Sequence, residues 1–284
     1  MNLKSVGRLA GNLKIDLKDR NKALKGLNET LTNSVHKNII NDSVHGLAFS
    51  GGVDSSLIAF LCKKLKKNFN LYTISIGENE DLIWSRRAAS HLKLNLNAKI
   101  LDYEDAFAII KKVCNIFKSD DPVKIGIACV LFSVLDMMKK DRIRHAVTGL
   151  GSDTLFFGFD KHRKAFENNS ILKEGRNGLK EIYKNDIKRD LAISEFYKIN
   201  LICPFLDKDV IKYSMRIDPK LKINKEQNKV ILRELAHEIG LRREFAFRKK
   251  VASQYGSGFD KAISVLAREN GFEYKREFLN SLLK

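Results

Sequence analysis

Residues Ser50 to Ser56, with the sequence S-G-G-V-D-S-S, combine glycine and hydroxyl side chains with one carboxylate after a short apolar segment. Because Gly51 and Gly52 carry no Cβ atom, their backbone can approach a phosphate closely. The helix that follows would direct free N–H groups and its positive dipole end at that anion. The segment therefore predicts a phosphate-binding turn to which Ser50, Ser55 and Ser56 add hydroxyl donors, with a simple Ser/Asp-capped turn as the structural alternative.

The carboxylate of this turn, Asp54, would repel a bound phosphate unless a cation lay between them, so it predicts Mg²⁺. A second glycine-rich turn, at 149–153 (G-L-G-S-D), ends in another carboxylate, Asp153. The chain has no Gly-Lys-Ser/Thr sequence in the first turn, which excludes a Walker loop. The two turns therefore predict a nucleotide site of another kind.

Alternating strands and helices must position these turns. Leu24, Leu27, Leu31 and Val35, for example, have the spacing of three and four that is typical of a helix. The predicted strands cover residues 44–50, 71–77, 97–102 and 145–148, and the predicted helices cover residues 19–41, 54–67, 80–92, 103–118 and 124–140. This alternation predicts an α/β fold with a doubly wound parallel sheet of strand order 3-2-1-4, and with both turns at its carboxyl edge.

Residues 160–284 have a mostly helical pattern, with predicted loops at about 173–179 and 200–207. We expect one domain over 1–284. It would comprise an irregular basic segment (1–18), a nucleotide-binding α/β core (19–159) and a helical C-terminal part (160–284).

Composition narrows the function classes. The 284 residues carry a formal net charge of +18, which is typical of either an RNA partner or a lysine-rich surface. The lysines are scattered rather than clustered, which favours the lysine-rich surface.

The four cysteines contain no C-x-x-C pair and predict buried, reduced thiols. No apolar run approaches the ~20 residues of a membrane span, and Met1–Lys4 lack an apolar signal core, so we expect a cytoplasmic protein without a membrane partner.

The S-G-G-V-D-S-S turn resembles the signature of the N-type ATP pyrophosphatases, which split ATP to AMP and pyrophosphate. Several later segments resemble the synthetase domain of the asparagine synthetase family, in the same order along residues 27–265. These segments are T-G-L-G-S-D-T-L-F-F-G-F (148–159), P-F-L-D (204–207), M-R-I-D-P (215–219), K-V-I-L-R (229–233), R-K-K (248–250) and Q-Y-G-S-G (254–258).

This resemblance implies ATP and Mg²⁺ as the cofactors, with Asp54 and Asp153 as the metal ligands. The 50–56 turn would hold the phosphates. Lys250 would meet the α-phosphate as a catalytic residue beside Asp153. Asp81 matches an acidic position of uncertain role. The residues that would hold the adenosine are Ser75, Ile76, Thr148 and Gly149.

The acceptor positions of the family differ in this chain. Leu150 and Thr154 stand where the family has glutamates, and Asn200 and Ile202 stand where it has the Glu and Arg of an E-x-R motif. Leucine removes acid–base chemistry, and isoleucine removes a bidentate partner for a carboxylate. The acceptor therefore stays open, with aspartate as one candidate.

Members of the family that use glutamine begin with a cysteine after Met1, whereas position 2 here is Asn2. We expect no room for a glutaminase domain before residue 50, so ammonia or a separate glutaminase subunit would supply the nitrogen. The sequence thus predicts an ATP-dependent, AMP-forming carbon–nitrogen ligase acting on a small carboxylate. Two alternatives stay open, namely an ATP pyrophosphatase that modifies tRNA and a non-catalytic nucleotide-binding subunit of a larger complex.

Overall fold

The computed structural model describes residues 3–9, 11 and 14–283, and their centre is a sheet of five parallel strands in the order 3-2-1-4-5. The strands are β1 (His45–Ala48), β2 (Phe69–Ile76), β3 (Leu96–Leu101), β4 (His145–Val147) and β5 (Asn200–Ile202). The doubly wound α/β fold and the predicted order of the first four strands are confirmed. The register pairs Leu47 of β1 with Leu71 of β2 and Val147 of β4.

Helices connect and cover the strands. Those of the first half are α1 (Arg20–Asn38), α2 (Val53–Lys64), α3 (Glu80–Leu92), α4 (Tyr103–Phe117), α5 (Pro122–Lys140) and α6 (Ser152–Leu155). Those of the middle are α7 (Asp160–Glu167), α8 (Ile171–Ile182), a π turn (Tyr183–Ile187), α9 (Lys188–Tyr197), a 3₁₀ turn (Pro204–Leu206), α10 (Lys208–Arg216) and α11 (Pro219–Lys222). The last are α12 (Val230–Glu238), α13 (Arg243–Ala246), α14 (Ser253–Gly256), α15 (Phe259–Glu269) and α16 (Lys275–Ser281).

Side-chain caps explain where several helices begin. Asp19, Asn79, Asp102 and Asp121 each accept a hydrogen bond from a backbone N–H in the first turn of α1, α3, α4 and α5. Each cap satisfies one of the N–H groups that a helix leaves without an intrahelical acceptor.

Three sequence predictions need correction. Within the segment predicted to be irregular, Leu3–Leu9 form a 3₁₀ helix, whereas positions 1, 2, 10, 12 and 13 lie outside the described residues. The loop predicted at 173–179 lies inside α8, because Gly175 provides close contact with the Phe157 ring rather than a turn. The loop predicted at 200–207 begins with β5, which pairs with β4 at the sheet edge.

Two apolar clusters lie on opposite faces of the sheet. One surrounds α1, α2 and α12, and the other surrounds α4, α5 and α15. Cys62, Cys114 and Cys129 are buried free thiols within these clusters, and Cys203 is half-buried. In the described part of the chain, no helix combines the length and the hydropathy that crossing a bilayer requires.

Candidate active site

The glycine-rich turn connects β1 to α2 at the carboxyl edge of the sheet. Gly51 has a φ of +67°, and a Cβ atom there would lie 2.6 Å from the Trp84 carbonyl group. The position therefore requires glycine for both its left-handed backbone and its close approach to α3. Gly52 precedes the first residue of α2, and its N–H donates to Ser50 Oγ at 3.3 Å.

The serines of the turn have different surroundings. The Ser50 N–H donates to Ser55 Oγ at 3.3 Å, and Ser55 Oγ donates to the Gly52 carbonyl at 3.2 Å. Ser56 is fully buried, and its Oγ has no hydrogen-bond partner among the described residues. Ser50 and Ser55 line the adjoining cavity and Ser56 does not. Their contacts with phosphate stay predictions.

The structure brings Asp54 together with residues of two other elements. Ser152 Oγ, in the first turn of α6, donates to Asp54 Oδ1 at 2.6 Å. Lys229 Nζ donates to Asp54 Oδ2 at 2.6 Å. A Cβ atom at Gly149 would lie 3.1 Å from the Asp54 Cβ, so the second glycine-rich turn packs directly on the first.

Asp153 joins the same cluster. Its Oδ1 lies 2.7 Å from Lys229 Nζ and 2.5 Å from Lys250 Nζ. Burial alone would raise the pKa of Asp153, but the two ammonium groups outweigh burial and hold the pKa below its usual range. The Lys250 ammonium also lies 4.7 Å from the centre of the Phe159 ring. We call Asp54, Asp153, Lys229 and Lys250 the charged cluster.

Lys229 was not assigned a role from the sequence. It immediately precedes α12, has a φ of +58° and is 2% exposed. A left-handed backbone is costly for a residue with a Cβ atom and persists where the surroundings enforce it. Burial would lower the pKa of Lys229, but the carboxylates of Asp153 and Asp54 outweigh it and raise the pKa. In the sequence, the one indication of a role for Lys229 was its position at the start of the K-V-I-L-R segment.

Arg248 and Asp81 form a second buried pair beside the glycine-rich turn. Arg248 donates through Nη2 to Asp81 Oδ1 at 2.7 Å and through Nη1 to the Ser50 carbonyl at 2.8 Å. Burial raises the pKa of Asp81, and the Arg248 guanidinium opposes that rise. Arg233 in turn donates to the Ala246 and Arg248 carbonyls, at 2.9 and 2.8 Å. Asp81, whose role the sequence left uncertain, therefore anchors the segment that carries Lys250.

A cavity of about 310 Å³ extends from the charged cluster along the carboxyl edge of the sheet. Thr148 and Gly149 line this cavity, as expected for adenosine contacts. Ser75 and Ile76 are not among its lining residues. Ser75 is fully buried and its Oγ donates to the Gly77 carbonyl, while the Ile76 N–H donates to the Ser257 carbonyl at 2.9 Å. Of the four residues assigned to adenosine, Thr148 and Gly149 therefore line the cavity, and Ser75 and Ile76 do not.

Two of the four altered acceptor positions face the cavity. Leu150 and Thr154 line it, so neutral side chains stand where the resemblance implies carboxylates. Asn200 and Ile202 lie in the edge strand β5, where the Ile202 carbonyl accepts a hydrogen bond from the Thr148 N–H at 3.0 Å. Three charged residues of the π turn and α9 also line the cavity, namely Asp186, Arg189 and Asp190.

The donor set of the charged cluster fits a magnesium–nucleotide complex. Within the described residues, no group of three or more His, Cys, Asp or Glu side chains could hold a metal ion on its own. Asp54 and Asp153, however, converge on one positive charge, the Lys229 ammonium. Mg²⁺ is commonly held by one or two carboxylates together with substrate phosphates. Asp54 and Asp153 therefore suit a metal that arrives with a nucleotide.

Comparison with known proteins gives a family. The family model described as asparagine synthase matches residues 26–195 and 171–274. A Methanocaldococcus jannaschii protein provisionally named as a glutamine-hydrolysing asparagine synthetase is 30% identical over 90% of this chain and 54% of its own length. The glutamine-hydrolysing asparagine synthetase of Gallus gallus is 30% identical over 80% of this chain and 43% of its own length.

The chain thus spans about half the length of the curated relatives it matches. Among solved structures, the U34-tRNA thiolase of Methanococcus maripaludis aligns over 93% of this chain and 78% of its own, with 12% identity and a TM-score of 0.38. The NMN synthetase of Francisella tularensis aligns over 91% of this chain and 96% of its own, with 13% identity and a TM-score of 0.34.

Proposed function

Since this chain belongs to the asparagine synthase family, we propose that it is an ATP-dependent carbon–nitrogen ligase that forms AMP. A carboxylate oxygen of the acceptor attacks the α-phosphorus of ATP, the bond to the β-phosphate oxygen breaks, and pyrophosphate leaves. An amine, with ammonia as the simplest case, then attacks the acyl carbon, and AMP leaves as the amine nitrogen loses a proton. The acceptor and the nitrogen source are further parts of the proposal.

The observation that carries this proposal is the Lys229 ammonium between Asp54 and Asp153, at 2.6 and 2.7 Å, directly beside the glycine-rich turn. The two carboxylates would repel a triphosphate without a metal, whereas with a metal between them they would hold it. When bound, Mg²⁺ would neutralise phosphate charge and orient the leaving pyrophosphate. Asp54 and Asp153 would hold that ion, and Lys229 would remain as fixed positive charge against the phosphates.

Lys250 is suited to act on the charge that develops at the α-phosphate. Its ammonium reaches the cluster through Asp153 and lies over the Phe159 ring, which limits its freedom. Arg233 donates to the Arg248 carbonyl and Arg248 donates to the Ser50 carbonyl, so the segment before Lys250 is tied to α12 and to the glycine-rich turn. A cation held in place before the reaction stabilises a transition state without the reorganisation that water would need.

The acceptor is a small carboxylate compound, with aspartate as one candidate, and the nitrogen comes from ammonia or from a separate glutaminase subunit. Leu150 and Thr154 offer no carboxylate for acid–base work at the cavity. This difference supports an acceptor other than the one that glutamates at these positions would recognise. The second candidate acceptor is tRNA, whose phosphates the net charge of +18 would attract, although the lysines are scattered along the chain.

Pyrophosphate release from Mg-ATP by the purified protein tests the proposal. The protein is assayed alone, with amino acids plus ammonium, and with bulk tRNA, each beside Asp54→Ala and beside Asp42→Ala, which changes an exposed aspartate. Release that needs an amino acid and Asp54 but not Asp42 supports the ligase. Release of pyrophosphate only with tRNA would indicate an enzyme that modifies tRNA. ATP binding without cleavage in every mixture overturns the catalytic proposal and leaves a nucleotide-binding subunit.

A further inference from the structure

Gln254 is a buried polar side chain with unused hydrogen-bonding capacity in the cavity. It lies in α14, is 3% exposed and lines the cavity. Its Oε1 atom is buried and has no hydrogen-bond partner among the described residues. A buried acceptor without a partner is unfavourable in the free protein, so it marks a place where a ligand could donate.

The packing around Gln254 fixes its position. A Cβ atom at Gly126 of α5 would lie 2.8 Å from Gln254 Cβ, so the two elements are in close contact there. Ile127, Val130 and Leu131 of the same helix line the cavity as an apolar wall. An apolar wall with one carboxamide is the arrangement that suits a flat heteroaromatic ring.

Two donor groups at the end of β2 already have partners inside the protein. The Ile76 N–H is used by the Ser257 carbonyl at 2.9 Å, and Ser75 Oγ is used by the Gly77 carbonyl. These are the residues that the sequence assigned to adenosine. The Ser75 hydroxyl and the Ile76 N–H are thus engaged inside the protein, whereas Gln254 lines the cavity and its Oε1 has no partner among the described residues.

We propose that the Gln254 carboxamide determines the nucleobase specificity of this site by forming two hydrogen bonds with adenine. Oε1 would accept from the 6-amino group, and Nε2 would donate to the neighbouring ring nitrogen. A carboxamide is the side-chain group that matches the donor–acceptor edge of adenine, whereas guanine presents the acceptor O6 in place of the 6-amino donor. This inference rests on the proposed function for the identity of the nucleotide, and it adds the residue that selects the base.

Trp84, the single tryptophan of the chain, provides a binding signal because its backbone contacts Gly51 and its ring lies 5.2 Å from the Arg248 guanidinium. Its fluorescence is followed while Mg-ATP, Mg-GTP or the Mg-triphosphate of purine riboside, which lacks the 6-amino group, is added without acceptor. The proteins compared are the wild type, Gln254→Met and Gln227→Met. Gln227, the other glutamine of the chain, lines a neighbouring cavity instead.

The wild type and Gln227→Met are expected to bind ATP about 5- to 150-fold more tightly than the other two nucleotides, the range expected for one bidentate contact. Gln254→Met is expected to lose that preference while keeping its melting temperature. An unchanged preference in Gln254→Met overturns the inference. Selectivity that depends on Gln254 without pyrophosphate release in any mixture overturns the proposed ligase instead and leaves the base contact standing.

Discussion

The Lys229 ammonium lies 2.7 Å from Asp153 Oδ1. Lys229 immediately precedes α12, whereas Asp153 lies in α6 at the end of the second glycine-rich turn. The same ammonium lies 2.6 Å from Asp54 Oδ2, and the lysine is 2% exposed. One buried cation therefore holds together the two carboxylates that the sequence assigned to a metal.

Lys229→Met should reduce pyrophosphate release by about 10²- to 10³-fold, because it removes one preorganised charge from the phosphates. Steady-state assays at saturating Mg-ATP measure this effect. Lys225→Met, an exposed lysine just before it, should leave the rate unchanged. A rate within a few-fold of wild type in Lys229→Met would show that the lysine only pairs with the two aspartates.

Arg248→Met should destabilise the fold by about 3–5 kcal/mol, because it leaves the Asp81 carboxylate buried without its partner. Asp81→Leu alone should also destabilise the protein. The double variant should cost less free energy of unfolding than the two single variants together, since it removes both charges. Urea denaturation of the four proteins measures this coupling, and strictly additive costs would contradict the assignment of a buried ion pair.

Gly51→Ala and Gly77→Ala form a matched pair. Their φ angles are +67° and +66°, yet a Cβ atom at Gly51 would lie 2.6 Å from Trp84 backbone atoms, whereas a Cβ atom at Gly77 would have no neighbour within 4 Å. Gly77→Ala should lower the free energy of unfolding by about 1–2 kcal/mol, the cost of the left-handed backbone. Gly51→Ala should cost more and weaken Mg-ATP binding. Equal losses in the two variants would rule out the steric contact with α3.

Lys222→Met should stabilise the protein in a pH-dependent manner. Lys222 is 2% exposed, its ammonium lies 4.9 Å from the centre of the Phe157 ring, and burial lowers its pKa to about 7. Between pH 7 and the ordinary lysine value of 10.5, the unfolded chain binds a proton that the folded chain does not. The wild-type free energy of unfolding should therefore rise with pH over this window.

The Lys222→Met variant lacks that dependence. Its free energy of unfolding should exceed that of the wild type by about 3–5 kcal/mol at pH 7, and the difference should shrink toward pH 10. Chemical denaturation at pH 7, 8.5 and 10 measures it. Lys225→Met serves as the exposed control. A stability difference between Lys222→Met and wild type that stays constant with pH would mean that Lys222 keeps its charge in the fold.

The helices and strands of the first half could be predicted from sequence because their signals are local. The periodicity of α1, the cap at Asp19 and the apolar strands that precede the glycine-rich turns each lie within a few residues. The errors at α8 and β5 have non-local causes. Gly175 contacts Phe157, which lies in the turn after α6, and Asn200–Ile202 become a strand through pairing with β4.

The sequence by itself determined the family, the parallel sheet and the chemistry of the glycine-rich turn, because residue types and spacing along one stretch of chain specify them. Only the tertiary structure decided that Lys229 completes the charged cluster, that the Ile76 N–H donates to the Ser257 carbonyl, and that Gln254 lines the cavity while its carboxamide oxygen has no partner among the described residues. These relationships join residues that are distant in sequence. They depend on how α12 packs against α1 and α2 and on how α14 packs against α3 and α5, and no local pattern encodes that packing.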